Sequence, residues 1–274
     1  MAQLRKMRKS GRKKNKWEYV LNILSLIGFF AIWQVLANMN KTSEWFNPAF
    51  LPAPSDVVEL AVEYIKDGSL FIHITTSVRR ILLGFGIGTA LSIVIGVIFT
   101  NCMVADALLS PIFNLLGPIP PFAFLPIIII WFGVGEGSKV GLIVFSTFMT
   151  MLPYVTDGLR NTPPVLIRVA NSLGATKLQV FTRVMIPNAL PNLFVGMKVT
   201  LAMTFGAMVV AEMIGANSGL GYMIINAKTW FKMGDMFLAI ILIGLIYTIF
   251  FNVIRFFEKI LFSWKTDVTS AIEK

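Results

Sequence analysis

The sequence predicts an all-α polytopic membrane protein with about six transmembrane helices, and three observations carry that prediction. Of the 274 residues, 56% are hydrophobic and only 14% charged, with mean hydropathy +0.75. Soluble domains are nearer half apolar and a quarter charged. Uncharged apolar runs recur that reach the roughly 20 residues an α-helix needs to cross a hydrocarbon core about 30 Å thick. None of them shows the two-residue alternation of a membrane β-barrel strand.

The first element is a basic segment. Eight of the 24 Lys and Arg residues, Arg5, Lys6, Arg8, Lys9, Arg12, Lys13, Lys14 and Lys16, precede the first apolar run. Charge concentrated there is a topology signal and not a nucleic-acid surface. The run behind it is too long for a secretory h-region and no small-residue cleavage site follows, so it reads as an uncleaved signal anchor. The expected organisation is a basic cytoplasmic N-terminus over 1–17, a first transmembrane helix over 18–38, an outer loop over 39–73, a core over 74–262 and a cytoplasmic tail over 263–274.

Within the core the apolar runs place further spans near 80–100, 112–132, 139–158, 192–212 and 237–258. Six spans put both termini on one side. The outer loop carries two Lys against five acids, whereas Arg160, Arg168, Lys177 and Arg183 face no acidic residue between 159 and 188. Both asymmetries place the termini and residues 159–191 in the cytoplasm. Arg79 and Arg80 run against the pattern at the outer end of the second span, where long stems are expected to snorkel.

In the outer loop, Ser55 is the expected N-cap of an amphipathic helix over 56–65, with Val57, Leu60, Ala61 and Tyr64 on one side. That helix lies either along the membrane interface or against the bundle. The third span is interrupted by Gly117-Pro118-Ile119-Pro120-Pro121 and by Pro126, which remove backbone donors and disfavour helix in the preceding residue. A broken stretch at membrane depth must face other helices or a water-filled cavity, so Pro120, Pro121 and Pro126 are candidates for lining a path or for a structural kink.

Two ionisable residues fall in the fifth span. Glu212 ends it beside Gly215, Gly219 and Gly221, and reads either as a functional acid near the outer mouth or as an acid paired or solvated at a helix end. Lys198 lies about 21 Å from Glu212 along a helix, so the two do not pair. Its ammonium either attracts an anion or snorkels to the inner interface. Gly84, Gly86, Gly88 and Gly96 suggest close helix packing and not a phosphate loop, since no strand precedes them. The segment Gly133-Val-Gly-Glu-Gly-Ser-Lys139 lacks the spacing of a nucleotide-binding loop. One histidine, His73, and one cysteine, Cys102, expected as a buried or half-buried thiol, rule out an intramolecular disulfide and a His- or Cys-based metal centre.

Between the fourth and fifth spans stands Arg168-Val169-Ala170-Asn171-Ser172-Leu173-Gly174-Ala175, followed after Gly174 by nine residues and then Val184-Met185-Ile186-Pro187. This resembles the cytoplasmic loop of binding-protein-dependent ABC importer permeases: Glu-Ala-Ala, three residues, Gly, nine residues, Ile, any residue, Leu-Pro. The glycine-to-proline spacing matches throughout, while Arg168 and Val169 stand where the family has Glu and Ala. Leu51-Pro-Ala-Pro-Ser55, the stretch from Pro118 to Glu136, and Ala211-Glu212 to Gly219-Leu-Gly-Tyr222 are similar to the nitrate, sulfonate and taurine branch, which also includes carriers of aromatic precursors.

The resemblance implies a type I importer permease fold in a bacterial inner membrane. A cytoplasmic coupling loop over 160–187 would meet an ATPase through Arg168, Ala170, Asn171, Ser172, Leu173, Gly174, Ala175 and Thr176, with Pro187 closing the motif. It also implies two ABC ATPase subunits that use ATP and Mg, a second permease copy, an extracytoplasmic solute-binding protein and surrounding lipid. This chain would bind no cofactor, no metal and no nucleic acid, and would catalyse nothing. The rivals are an ion-coupled secondary transporter or channel, for which no inverted repeat is visible, and a membrane enzyme, for which no nucleophile and base are assembled.

Overall fold

A computed structural model of the chain describes residues 16–262, and the basic run from Arg5 to Lys14 and the tail 263–274 lie outside them. The described residues form helices and no strand: α1 (Lys16–Ser43), α2 (Pro54–Lys66), α3 (Ser69–Asn101), α4 (Met103–Leu116), α5 (Leu125–Phe132), α6 (Glu136–Arg160), α7 (Pro164–Ser172), α8 (Lys177–Val180), α9 (Ile186–Met213), α10 (Leu220–Thr229) and α11 (Met233–Leu261). Five stretches are long and apolar enough to cross a membrane: Ile23–Ser43, α3, α6, Lys177–Met213 and α11. A sixth arises if α4 and the segment Pro121–Phe132, bent by 96°, count as one. The bend falls just after Gly117, where Pro118, Pro120 and Pro121 withdraw helix donors. The broken span therefore begins at Met103, well before the residue 112 expected from hydropathy.

Helix direction follows from the contacts. Gly84, Gly88 and Gly96 of α3 leave no room for a Cβ against Ile143, Thr147 and Val155 of α6, and this constant offset makes the two helices parallel. With Ser92, whose hydroxyl donates 3.1 Å to the Phe148 carbonyl, they form a small-residue stripe repeating every four positions. Gly86 lies off the stripe with open space beside it and does not serve the packing expected of it. Between α6 and α9 the contacts step in opposite directions, Gly158 on Asn192, Tyr154 on Gly196 and Thr147 on Thr204, so these helices are antiparallel. The end holding Ser69, Glu136 and Glu212 is called upper here and the opposite end lower. Residues 16 and 261 both belong to the lower end, because Lys41 meets Asp56 above, and Lys198 meets Glu258 below.

The main core gathers Ile81, Ile143, Leu201, Met208 and Leu220, each fully buried, with the apolar faces of α10 and α11. Val57, Leu60, Ala61 and Tyr64 of α2 join it, which settles the amphipathic helix against the bundle. Helix α2 starts at Pro54, and its N-cap is Ala53, not Ser55. The Asp56 carboxylate accepts from the Ala53 amide at 3.1 Å, while the Ser55 hydroxyl accepts from Gln34 of α1. Lys41 donates to Asp56 at 2.7 Å and holds that carboxyl below its ordinary value. The Tyr64 hydroxyl, half-buried beside Asp235, is pushed up to about 12 by burial and by that carboxylate. Cys102 is exposed at the junction of α3 and α4, contrary to the burial expected of it.

Candidate functional site

At the lower end, α7 and α8 form a helical hairpin that stands off the bundle. Helix α7 opens on Pro164, whose missing amide costs nothing in a first turn. It closes in a two-bond glycine cap: Gly174 donates to the Asn171 carbonyl and Ala175 to the Ala170 carbonyl, both at 3.0 Å. Gly174 has φ +79°, in the left-handed region that glycine enters without penalty. Thr176 then caps α8 reciprocally, its hydroxyl accepting from the Gln179 amide and its own amide donating to the Gln179 side chain at 2.8 Å. No residue of α7 is buried, and Leu173 is 82% exposed. Arg168, Asn171, Ser172, Gly174 and Thr176 are exposed as well, and Ala170 and Ala175 partly so. Pro187 lies apart from this tip, in a groove of about 790 Å³ between the end of α6 and the start of α9. A π-helical turn, Phe181–Met185, precedes it, where the donor missing at proline loosens the helical ladder.

A cavity of about 1270 Å³ lies between α4, the bent segment, α6 and α9. Its wall is mixed: Phe99, Phe113 and Met203 with Ser110, Asn114 and Thr150. Pro120 and Pro121 line it, as the break at membrane depth requires. Pro126 does not line it, and sits exposed in the first turn of α5. Lys198 is outside it too. Its ammonium donates to both oxygens of Glu258 on α11, at 2.9 and 3.0 Å, so a partner takes the charge that free snorkelling was expected to solvate. Arg160 and Asp106, 2.7 Å apart, close the lower end of the cavity.

The upper end holds a buried charge cluster. Glu212 is fully buried. Its carboxylate accepts from Arg80 Nη1 at 2.9 Å, from the Ser77 hydroxyl at 2.8 Å and from the Gly221 amide at 2.8 Å. Arg80, 2% exposed, also binds Glu136 through Nε at 2.9 Å and through Nη2, and donates to the Ser218 carbonyl at 2.8 Å. One guanidinium thus joins α3, α6, α9 and the loop before α10. Arg79 and Arg80 both stand well inside α3, which begins at Ser69, and not at its end; Arg79 is exposed, but Arg80 turns inward and does not snorkel. Gly219, at φ +125° before α10, and Gly221, in its first turn, both pack where a Cβ would strike Glu212. Sequence reasoning singled out Glu212 and missed its partner. The available signal was that buried membrane charge must be matched, and Arg80 was the cation at the same end.

The model of the family described as binding-protein-dependent transport system inner membrane component matches residues 88–264. The chain is 32% identical over 260 residues to the putative aliphatic sulfonates transport permease protein SsuC of Bacillus subtilis (strain 168), covering 95% of this chain and 92% of that protein. It is 31% identical over 268 residues to the taurine transport system permease protein TauC of Escherichia coli (strain K12), covering 94% and 96%. Among solved structures it is similar to an inward-facing conformation of the MetNI methionine ABC transporter, with TM-score 0.59 and 19% identity over 71% of this chain and 95% of that one. An amino acid ABC transporter gives TM-score 0.57 at 18% identity over 75% and 97%. At these identities the structural likeness speaks to fold.

Proposed function

The chain belongs to the binding-protein-dependent transport system inner membrane components, and from that membership we propose that it forms the solute path of an importer for small sulfonate-type cargo. It is the non-catalytic membrane subunit of an ABC transporter, and ATP hydrolysis belongs to a partner. In this reading two ABC ATPase subunits dock at the lower end and hydrolyse ATP with Mg. A second copy of the chain completes the path, and a solute-binding protein delivers cargo at the upper end. The lower end then faces the cytoplasm of a bacterial cell and carries both termini.

The observation that carries this reading is the exposed hairpin of α7 and α8, inserted between two walls of the cavity. Arg160 ends α6 and leads into α7 within a few residues, and the π-helical turn leads from α8 into α9. A push on the hairpin therefore reaches α6 and α9, between which the cavity lies, as a rigid-body displacement. Exposed Val165, Val169, Leu173 and Leu178 supply an apolar ridge to bury in a groove of the ATPase.

The test is Gly174→Val in the purified complex. A β-branched residue in the left-handed region costs about 1–2 kcal/mol and unwinds the cap, so uptake should fall while ATP hydrolysis persists. Gly174→Asn, which tolerates that conformation, should keep much of the uptake. Normal cargo-stimulated hydrolysis and uptake in Gly174→Val would remove the hairpin from the coupling path.

A further inference from the structure

The start of α10 finds its hydrogen-bond acceptors on two other helices. Gly219 caps that helix and has no side chain to offer, so the backbone amides at its start need acceptors from elsewhere. Three successive amides find them: Gly219 donates to Nδ1 of His73 at 3.1 Å, Leu220 to the Ser77 hydroxyl at 2.8 Å and Gly221 to the Glu212 carboxylate at 2.8 Å. His73, Thr76, Ser77 and Arg80 share one face of α3. The Ser218 hydroxyl donates to Thr76 at 3.4 Å, and Arg80 donates to the Ser218 carbonyl at 2.8 Å. This face of α3 thus holds the entry to α10.

One of the three acceptors titrates near neutral pH. The Ser77 hydroxyl keeps its proton, and Glu212 is matched by Arg80. An imidazole that accepts at Nδ1 carries its proton on Nε2 and is neutral, whereas the imidazolium has a donor on each nitrogen and no acceptor. An ordinary histidine makes that change near about pH 6.5. Protonation of Nδ1 orphans the Gly219 amide and sets a positive charge against the positive end of the α10 dipole. The groups around the ring do not offset this. Tyr222 of α10 stacks on it with ring centroids 5.9 Å apart and presents no charge. Asp67, before α3, acts on the ring, but it is exposed and already accepts from the Ser69 amide and hydroxyl at 2.8 and 2.6 Å. Glu212 of α9 lies behind Gly219 with its charge taken by Arg80.

We propose that His73 is a proton-operated latch, which fastens the start of α10 to α3 while neutral and releases it on acidification. The link is present above about pH 6.5 and fades as pH falls below that value. Gly215 at φ +68° and Gly219 at φ +125° bracket the released segment and give it its joints. The latch follows from the geometry at the upper end and goes beyond the importer reading, in which that end faces outward and answers to the pH outside the cell.

The experiment is hydrogen exchange read by mass on the full-length chain in lipid nanodiscs at about pH 7.5 and about pH 5.5, one unit either side of the ordinary histidine value. Each rate is divided by its intrinsic value at that pH, and peptides of α6 serve as the internal reference. Wild-type protection at Gly219 to Gly221 should fall about tenfold relative to α6, the change set by one proton bound near pH 6.5 in the released form alone. His73→Asn, whose amide oxygen stands where Nδ1 does and does not titrate, should keep the protection seen at neutral pH and lose its pH dependence. His73→Leu, with no acceptor, should be poorly protected at both. Unchanged wild-type protection, a pH dependence that survives in His73→Asn, or full protection in His73→Leu would overturn the latch. The wild-type comparison stands even if a variant fails to fold. None of these readouts uses cargo or ATP, so the latch and the importer reading fail separately.

Discussion

Arg80 is the residue on which the upper end depends. Its guanidinium compensates a fully buried carboxylate and ties three long helices, and removing one member of a buried pair leaves the other charge unmatched. Arg80→Gln should destabilise the folded chain by about 3–5 kcal/mol, read as a loss of the folded fraction in a detergent denaturation series. Glu136→Gln should cost far less, because Glu136 is 64% exposed and water replaces the lost contact. Equal effects at the two positions would show that the cluster is not organised around Arg80 and Glu212. The residue scale is also where the sequence was least legible. Glu212 was visible as an acid beside glycines, but Arg80 read as a snorkelling side chain, since a hydropathy pattern registers distance from a helix end and not a partner 132 positions away. The partner of Lys198 was hidden for the same reason, Glu258 lying on another span.

Small residues set how closely α3 and α6 approach. The stripe of Gly84, Gly88, Ser92 and Gly96 brings α3 onto α6 closely enough that Gly88→Val must push the two apart. Overpacking of this kind costs about 1–3 kcal/mol. Gly86→Val, which meets open space, should be near silent apart from its effect on helix propensity. A thermal scan of both variants in one detergent separates the stripe from its neighbour, and comparable losses would argue against the register described. A second consequence concerns α1, whose upper end is held to α2 by Lys41 on Asp56 and by Trp33 on the Pro52 carbonyl. The carboxyl of Asp56 titrates below its ordinary value in the folded chain, so its stabilising contribution is present above about pH 3.9 and fades as pH falls through the lowered folded value. Protection of the amides at the start of α2, taken relative to their intrinsic exchange rate at each pH, should therefore fall on acidification before that of the core, and by a modest factor, since the pair is solvent-screened. Asp56→Asn should abolish that acid dependence. At this scale the sequence was most legible. Hydropathy found the long helices and the proline run found the break, but the expected start of the second span near 80 missed Gly68, whose φ of +78° lets α3 begin at Ser69.

For the whole molecule, the arrangement separates a rigid upper end from a jointed lower end. Above, one buried charge cluster fastens α3, α6 and α9. Below, the cavity mouth, the π-helical turn and the exposed hairpin sit together, and the ties there are partly solvated. In the reading proposed above, motion delivered from below would be taken up first at this lower end. The hairpin was recognisable from the spacing between Gly174 and Pro187. The cavity was foreshadowed only by Pro120 and Pro121, because Asp106 of α4 meets Arg160 of α6 across 54 positions and no local pattern joins them.

The decisive measurement is affinity purification of the chain from its native membrane, with and without Gly174→Val and a Leu173→Asp change in the exposed ridge. If the hairpin is the docking element, an ATPase subunit should co-purify with the wild-type chain, and its recovery should fall about tenfold or more with Leu173→Asp, as burying an unpaired charge in the joint predicts. Gly174→Val should retain some ATPase but lose coupled uptake. Recovery of the chain alone, moving solute down an ion gradient without ATP, would contradict the importer reading and leave an ion-coupled transporter in its place.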